Sequence, residues 1–130
     1  KSGRWEEVAA LDGALAQIQA GELIYPEAAR LRARWRVASK SPEGAWEAVG
    51  IIDPLLARDR SPKDLLIRAK AAKIAGRGDY AWASLYRLSN VNFRNSNRSE
   101  MAIAALEIAR GLPSLPGSFE TFQVLRAQAR

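Results

Sequence analysis

The chain has 130 residues, of which 48% are hydrophobic, so it has the length of one domain and enough apolar material for a core. It contains no cysteine and no histidine, which excludes disulfides, thiolate metal sites, and the commonest general base and zinc ligand. Its net charge of +6 lies entirely in residues 62–99, which hold eight basic and two acidic residues, whereas basic and acidic residues balance elsewhere. A basic segment of this kind is a candidate for contact with an acidic partner.

Helical spacing of apolar residues and helix start and stop signals predict seven helices joined by short turns. In chain order they are expected at 4–20, 26–39, 42–57, 62 to Gly76 or Gly78, 80–89, 98–110 and 118–129. No segment alternates with a period of two for long enough to form a strand, so the fold class is all-α. Pro54 is expected to kink or end its helix near Asp53, because proline removes a backbone donor. The alternative is that Pro54 lies on a solvent-exposed face, where the helix tolerates it.

Several short motifs set these boundaries. Ser41 and Ser61 each precede a proline, a pattern typical of an N-cap followed by the first helical residue. Asp79 is expected to cap the helix that begins at Tyr80. The polar, asparagine-rich residues 90–98 are expected to form a loop.

Residues 31–52 match residues 65–86 at an offset of 34 positions. The matched residues include Leu31 with Leu65, Arg34 with Arg68, Ala38 with Ala72, Gly44 with Gly78 and Trp46 with Tyr80. A fixed offset over two helical segments is typical of stacked helical repeats. An aromatic residue begins four of the helices, at positions 5, 46, 80 and 119. We expect Trp5 and Trp46 to fill the core between paired helices.

The stretch Gly78-Asp79-Tyr80-Ala81-Trp82-Ala83, together with the 34-residue offset, resembles the tetratricopeptide repeat (TPR) family. That resemblance implies a right-handed superhelical stack of antiparallel helix pairs. It divides a single domain, 1–130, into an unpaired helix at 4–20 and pairs at about 26–58, 62–89 and 98–129. It also implies a concave groove lined by the first helix of each pair. Val37 and Phe122 depart from the family's small residues, so a Sel1-type or other TPR-like solenoid stays open.

Arg34 and Arg68 fall at matching positions in the first helices of successive pairs. In the resembled family, basic residues at the groove clamp the carboxylates of an extended peptide, a task that suits the bidentate guanidinium. One hypothesis is therefore that both arginines bind a partner. The alternative is that both form structural salt bridges, for example to Glu27 or Asp64.

Lys70, Lys73 and Arg77 lie on one helical stripe and form a second candidate partner-binding set. The stripe is compatible with an acidic protein, an anionic lipid or nucleic acid, and Phe93 in the following loop suggests base stacking. The alternative is a solvated face that keeps the protein soluble. No known nucleic-acid motif accompanies the stripe, which disfavours nucleic acid as the partner. Of Trp35 and Trp82, one is a candidate for exposure at an interface.

These observations predict a non-catalytic protein-interaction or scaffold module that binds a partner peptide or helix, such as an acidic peptide or a C-terminus, in a concave groove. No catalytic residues, metal or cofactor are expected, because the histidine, phosphate loop and nucleophile elbow that would signal them are missing. Two alternatives remain: a self-assembling repeat protein that stacks its terminal helices, and a nucleic-acid-binding domain that uses residues 62–99.

The source and compartment follow less directly from the sequence. The Ala- and Arg-rich composition suggests a bacterial protein, and the cysteine-free chain fits either the cytoplasm or the periplasm. No signal peptide and no apolar run of membrane-spanning length is present, so membrane insertion is not expected. Because the chain begins with Lys1, we expect a mature form or a fragment of a larger protein.

Overall fold

The structure is a computed structural model that describes residues 26–58, 61–91 and 97–130. These residues form six α-helices and no strand, which confirms the all-α class for the described part of the chain. The helices are α1 (Pro26–Ala38), α2 (Pro42–Arg58), α3 (Pro62–Ile74), α4 (Gly78–Ser89), α5 (Arg98–Ala109) and α6 (Ser118–Gln128). The helix expected at 4–20, with Trp5, lies outside the described residues, as does Phe93. No helix among those described combines the length and apolar character that a membrane span needs.

The helix starts follow the local chemistry in most cases. The Ser41 hydroxyl accepts a hydrogen bond from the Gly44 N–H at 3.0 Å, so Ser41 caps α2 as expected. Ser61 precedes α3 but makes no side-chain cap, and Pro62 alone marks that start. Helix α4 begins at Gly78, so Asp79 lies within its first turn rather than before it.

Helix α2 continues through Pro54 to Arg58, so the proline does not end the helix. The proline is exposed, so its ring is accessible to solvent. The carbonyl that loses its donor belongs to Gly50, an exposed residue with no side chain. Water can therefore satisfy that carbonyl, and the helix tolerates the missing hydrogen bond.

Each helix packs against the next along the chain, and alternate helices also meet, α1 with α3, α3 with α5, and α4 with α6. The core is built mainly from alanine and branched aliphatic side chains, which let helices approach closely. Its largest fully buried apolar side chains are Ile52, Leu65, Leu85, Leu88 and Leu125. Helices α1, α3 and α5 thus form one contiguous series, and this series positions the candidate site.

The repeat in the structure has a longer period than the sequence match. The steps from Pro26 to Pro62 and from Pro42 to Gly78 are both 36 residues. At this spacing four of the five buried residues of α2 coincide with buried residues of α4: Ala45 with Ala81, Ala48 with Ser84, Val49 with Leu85 and Ile52 with Leu88. Residues at equivalent positions of two packed repeats are expected to be buried alike. The structural offset is therefore 36 residues, two residues longer than the TPR period.

Two sequence expectations change with this offset. Arg34 corresponds to Lys70 rather than to Arg68, and Trp46 corresponds to Trp82 rather than to Tyr80. Trp46 is not a core residue, because it is 37% exposed. Trp82 is half-buried at the matching position.

Candidate functional site

The candidate site is a groove of about 760 Å³ lined by α1, α3, α5 and the turn after α1. Apolar side chains from all three helices line it: Val37, Leu66, Ile67, Ile74 and Ile108. The first helix of each described pair therefore contributes to one concave surface.

Four basic residues share this groove: Arg34, Lys40, Lys70 and Lys73. Glu107 is the only acidic residue that lines it among the described residues. We call this surface the cationic groove. Its excess of positive charge beside apolar side chains suits a segment that carries both carboxylates and apolar residues.

Lys40 stands in an unusual backbone conformation. Its φ is +58°, in the left-handed region that few residues other than glycine adopt readily. The matching position one structural repeat later holds Gly76, whose φ is +77°. The N–H of each residue donates to the carbonyl three positions before it, Lys40 to Val37 at 3.0 Å and Gly76 to Lys73 at 3.1 Å. A lysine thus occupies a helix-ending site where glycine fits with less strain.

Lys73 is partly engaged within the protein. Its ammonium donates a hydrogen bond to the backbone carbonyl of Arg110, just after α5. An ammonium has three donors, so this contact leaves two donors for other acceptors. Lys73 therefore both joins α3 to the end of α5 and contributes charge to the cationic groove.

Arg68 does not lie in the cationic groove. It is 9% exposed, and its Nε donates to Asp53 Oδ1 on α2 at 2.6 Å. Its Nη1 donates to the Ser84 hydroxyl at 2.8 Å and to the Tyr80 carbonyl at 3.3 Å, both on α4. The guanidinium carbon also lies 5.2 Å from the centroid of the Tyr80 ring. These contacts correspond to the structural salt-bridge alternative for Arg68, with a carboxylate on α2 as the partner.

Glu27 and Asp64, the carboxylates considered as partners for the two arginines, both bind Arg30 instead. Asp64 is 1% exposed and takes a bidentate contact, from Arg30 Nε at 2.7 Å and from Nη2 at 3.0 Å. Glu27 accepts a hydrogen bond from Arg30 Nη1. Chiefly through its hydrogen bonds, Asp64 raises the pKa of the Arg30 guanidinium above its ordinary value. The bidentate contact joins α1 to α3.

Arg77 lies away from the groove, beyond the end of α3. Its guanidinium carbon is 4.6 Å from the centroid of the Trp46 ring, a cation–π contact. The Trp46 ring in turn meets the Tyr80 ring edge-on, with centroids 5.1 Å apart. The stripe of Lys70, Lys73 and Arg77 is thus divided, with two members in the cationic groove and one on an aromatic pair.

Sequence reasoning missed Lys40 and Glu107 as groove residues. Lys40 lies just after a helix end, where glycine is the usual residue. The lysine in place of glycine was the signal in the sequence that could have identified this position. Glu107 had no signal, because its placement depends on how α5 packs on α3. Comparisons with protein-family models, with curated proteins and with solved structures found no match to this chain.

Proposed function

We propose that the chain is a non-catalytic interaction module whose cationic groove binds an acidic, partly apolar segment of a partner protein. The bound segment is an extended peptide or a helix, held by ion pairs at its carboxylates and by apolar contacts between them. In this proposal the helix pairs stack as a TPR-like superhelix, so that α1, α3 and α5 share one concave side. The observation that carries it is the convergence of four cations on one apolar groove.

The charge distribution in the groove supports an anionic ligand. Arg34 and Lys70 are exposed and occupy matching positions in successive structural repeats, one on α1 and one on α3. Each exposed ion pair with a ligand carboxylate would contribute about 0.2–1 kcal/mol. Such pairs set orientation and selectivity, while burial of the ligand's apolar side chains supplies more of the affinity.

The strained Lys40 gives independent support. A non-glycine residue in the left-handed region costs about 1–2 kcal/mol, and such strain tends to lie at functional sites. Replacing Lys40 by the glycine of the matching position should therefore stabilise the fold while removing a groove cation. Lys40→Gly is expected to raise the unfolding midpoint and to weaken binding of an acidic ligand.

The test uses two fluorescein-labelled synthetic peptides that differ only in charge, one with alternating Leu and Glu and one with alternating Leu and Lys. We expect the Glu peptide to bind the cationic groove, with its affinity measured by fluorescence anisotropy. Arg34→Ala with Lys70→Ala should weaken that affinity about tenfold, which is the effect of losing about 1.4 kcal/mol from two contacts. Arg126→Ala with Arg130→Ala is the matched control, since it removes two exposed cations outside the groove.

Three results would contradict the proposal. Retention of the Glu-peptide affinity in Arg34→Ala with Lys70→Ala would show that the cationic groove does not bind acidic ligands. An equal loss of affinity in the groove and control variants would indicate a general charge effect. Tighter binding of a labelled oligodeoxythymidylate than of the Glu peptide, with a steep decline in affinity as salt rises, would favour the nucleic-acid alternative.

A further inference from the structure

A second groove, of about 710 Å³, lies between α4, α6 and the connection that leads into α6. It shares no lining residue with the cationic groove. Its walls include Trp82, Tyr86, Leu115 and Val124, and Tyr86 is 60% exposed. A large aromatic side chain that is this open, beside further apolar groups, is a common feature of docking sites.

The connection that forms one wall is fixed in place. The Trp82 indole N–H donates to the Pro113 carbonyl at 2.8 Å. A Cβ atom added at Gly78 would lie 2.9 Å from Pro113 Cγ, so the connection rests directly on the start of α4. Leu115 and Ser118 then exchange hydrogen bonds, each at 3.0 Å, immediately before α6. The groove is therefore a preformed feature of the fold rather than a gap beside a loose segment.

The charged residues of this groove are acidic, whereas basic residues predominate in the cationic groove. Asp79 and Glu120 line the second groove, both exposed, and no basic residue lines it among those the structure describes. Each carboxylate lies in the first turn of its helix, where the helix end carries about half a positive charge. A full negative charge exceeds that half charge, so the rim remains negative. We call this surface the acidic groove.

We propose that the acidic groove is a second docking site, which binds a peptide segment in which apolar residues are flanked by Lys or Arg. The apolar side chains of that segment pack on Leu115 and Val124, and a cationic side chain lies over the Tyr86 or Trp82 ring with its charge near Asp79 or Glu120. The charge complementarity selects a basic segment and rejects the acidic segment proposed for the cationic groove.

Two sites of opposite charge would allow the chain to join two different partners. This inference does not depend on the cationic groove, because each site has its own lining residues and its own ligand charge. Failure of one site to bind would leave the other intact.

The experiment uses the same Leu/Lys and Leu/Glu peptides, with binding measured by fluorescence anisotropy. We expect the Lys peptide to bind the unchanged protein, and Asp79→Asn with Glu120→Gln to weaken that binding about tenfold. Val124→Lys, which places a cation in the groove at an exposed position, should weaken it at least as much. The matched control is Glu43→Gln with Glu100→Gln, which removes two exposed carboxylates from the first turns of α2 and α5, outside both grooves.

Retention of Lys-peptide binding in Asp79→Asn with Glu120→Gln would place its site elsewhere and overturn the proposal. An equal loss of Lys-peptide affinity in the control variant would also overturn the proposal, because the effect would then depend only on the net charge of the protein. Sedimentation gives the third outcome. Self-association of the unchanged protein that disappears in the Asp79 and Glu120 variant would show that a second copy of the chain, rather than a partner's peptide, occupies the groove. Circular dichroism confirms that each variant keeps its helices.

Discussion

The three helix pairs are joined in two different ways. At the first junction, between α1–α2 and α3–α4, Arg30 binds Asp64 and Asp53 binds Arg68. At the second junction, between α3–α4 and α5–α6, side-chain donors reach backbone carbonyls: Lys73 to Arg110, Trp82 to Pro113 and Gln128 to Ser89. An ion pair requires a specific side chain on each of the two helices. A hydrogen bond to a backbone carbonyl requires a specific side chain only on the helix that carries the donor. The first junction should therefore be more sensitive to substitution than the second.

The largest effect is expected at Asp64. Asp64→Ala would leave the Arg30 guanidinium partly buried without its bidentate partner, and breaking a buried pair from one side costs about 3–5 kcal/mol. The expected loss lies at the lower end of that range, since Arg30 retains some contact with water. The free energy of unfolding, measured by urea denaturation, provides the test.

The control for Asp64 replaces both members of the pair. Asp64→Ala with Arg30→Met removes the partly buried charge that the single change leaves without its bidentate partner, so it should recover much of the lost stability. A loss below about 1 kcal/mol in Asp64→Ala would show that the bidentate bridge is unimportant at this junction.

The next largest effect is expected at Arg68, which the sequence match pairs with Arg34. Arg68→Ala removes a buried side chain and three hydrogen bonds, and should cost about 2–3 kcal/mol. Arg34→Ala, at an exposed position in the cationic groove, should change stability by less than about 0.5 kcal/mol. Chemical denaturation of both variants tests the offset of 36 residues against the offset of 34 residues. Similar losses of stability would favour the 34-residue offset, because Arg34 and Arg68 would then have equivalent structural roles.

A smaller effect is expected at the second junction. Trp82→Phe removes the N–H that bonds the Pro113 carbonyl, and should cost about 1 kcal/mol. The freed carbonyl belongs to an exposed residue, so water can replace the lost donor. Limited proteolysis should show faster cleavage between residues 110 and 117. Tyr86→Phe, on the same helix, is the control, and equal cleavage in the two variants would exclude a role for the indole bond.

The smallest effects are expected at two glycines and have opposite signs. Gly50 is exposed within α2, and nothing lies within 4 Å of an added Cβ, so Gly50→Ala should stabilise by about 0.5–1 kcal/mol. Gly78→Ala should destabilise by about 1 kcal/mol, because the new methyl group would press on Pro113. Thermal unfolding of both variants tests the prediction. A stabilised Gly78→Ala variant would show that the connection containing Pro113 moves to accommodate the methyl group at little cost.

Helix positions were largely predictable because their signals are local. The proline that begins α1, α2 and α3 marks a boundary without reference to any distant residue. The structural offset was not predictable in this way. Arg34 and Arg68 match in identity at 34 residues, but burial follows the spacing of 36, and burial depends on neighbouring helices.

The part of the candidate site that depends on local sequence patterns was also predictable. Lys70 and Lys73 share a helical stripe that can be read from the sequence, and both line the cationic groove. The pairing of Arg68 with Asp53 joins α3 to α2, and many carboxylates lay within a comparable distance along the chain. Choosing among them requires the packed structure. The acidic groove likewise depends on the docking of Pro113 against α4.

The two bridges at the first junction limit how this chain could be cut, recombined or extended. Helix α3 carries both an acid that binds α1 and a base that binds α2, four residues apart. A fragment that ends after α2 would therefore leave Arg30 with Glu27 alone and Asp53 without Arg68. The first two pairs form one indivisible building block, and insertion of an additional repeat is better tolerated after α4, where the acceptors are backbone carbonyls that any residue supplies.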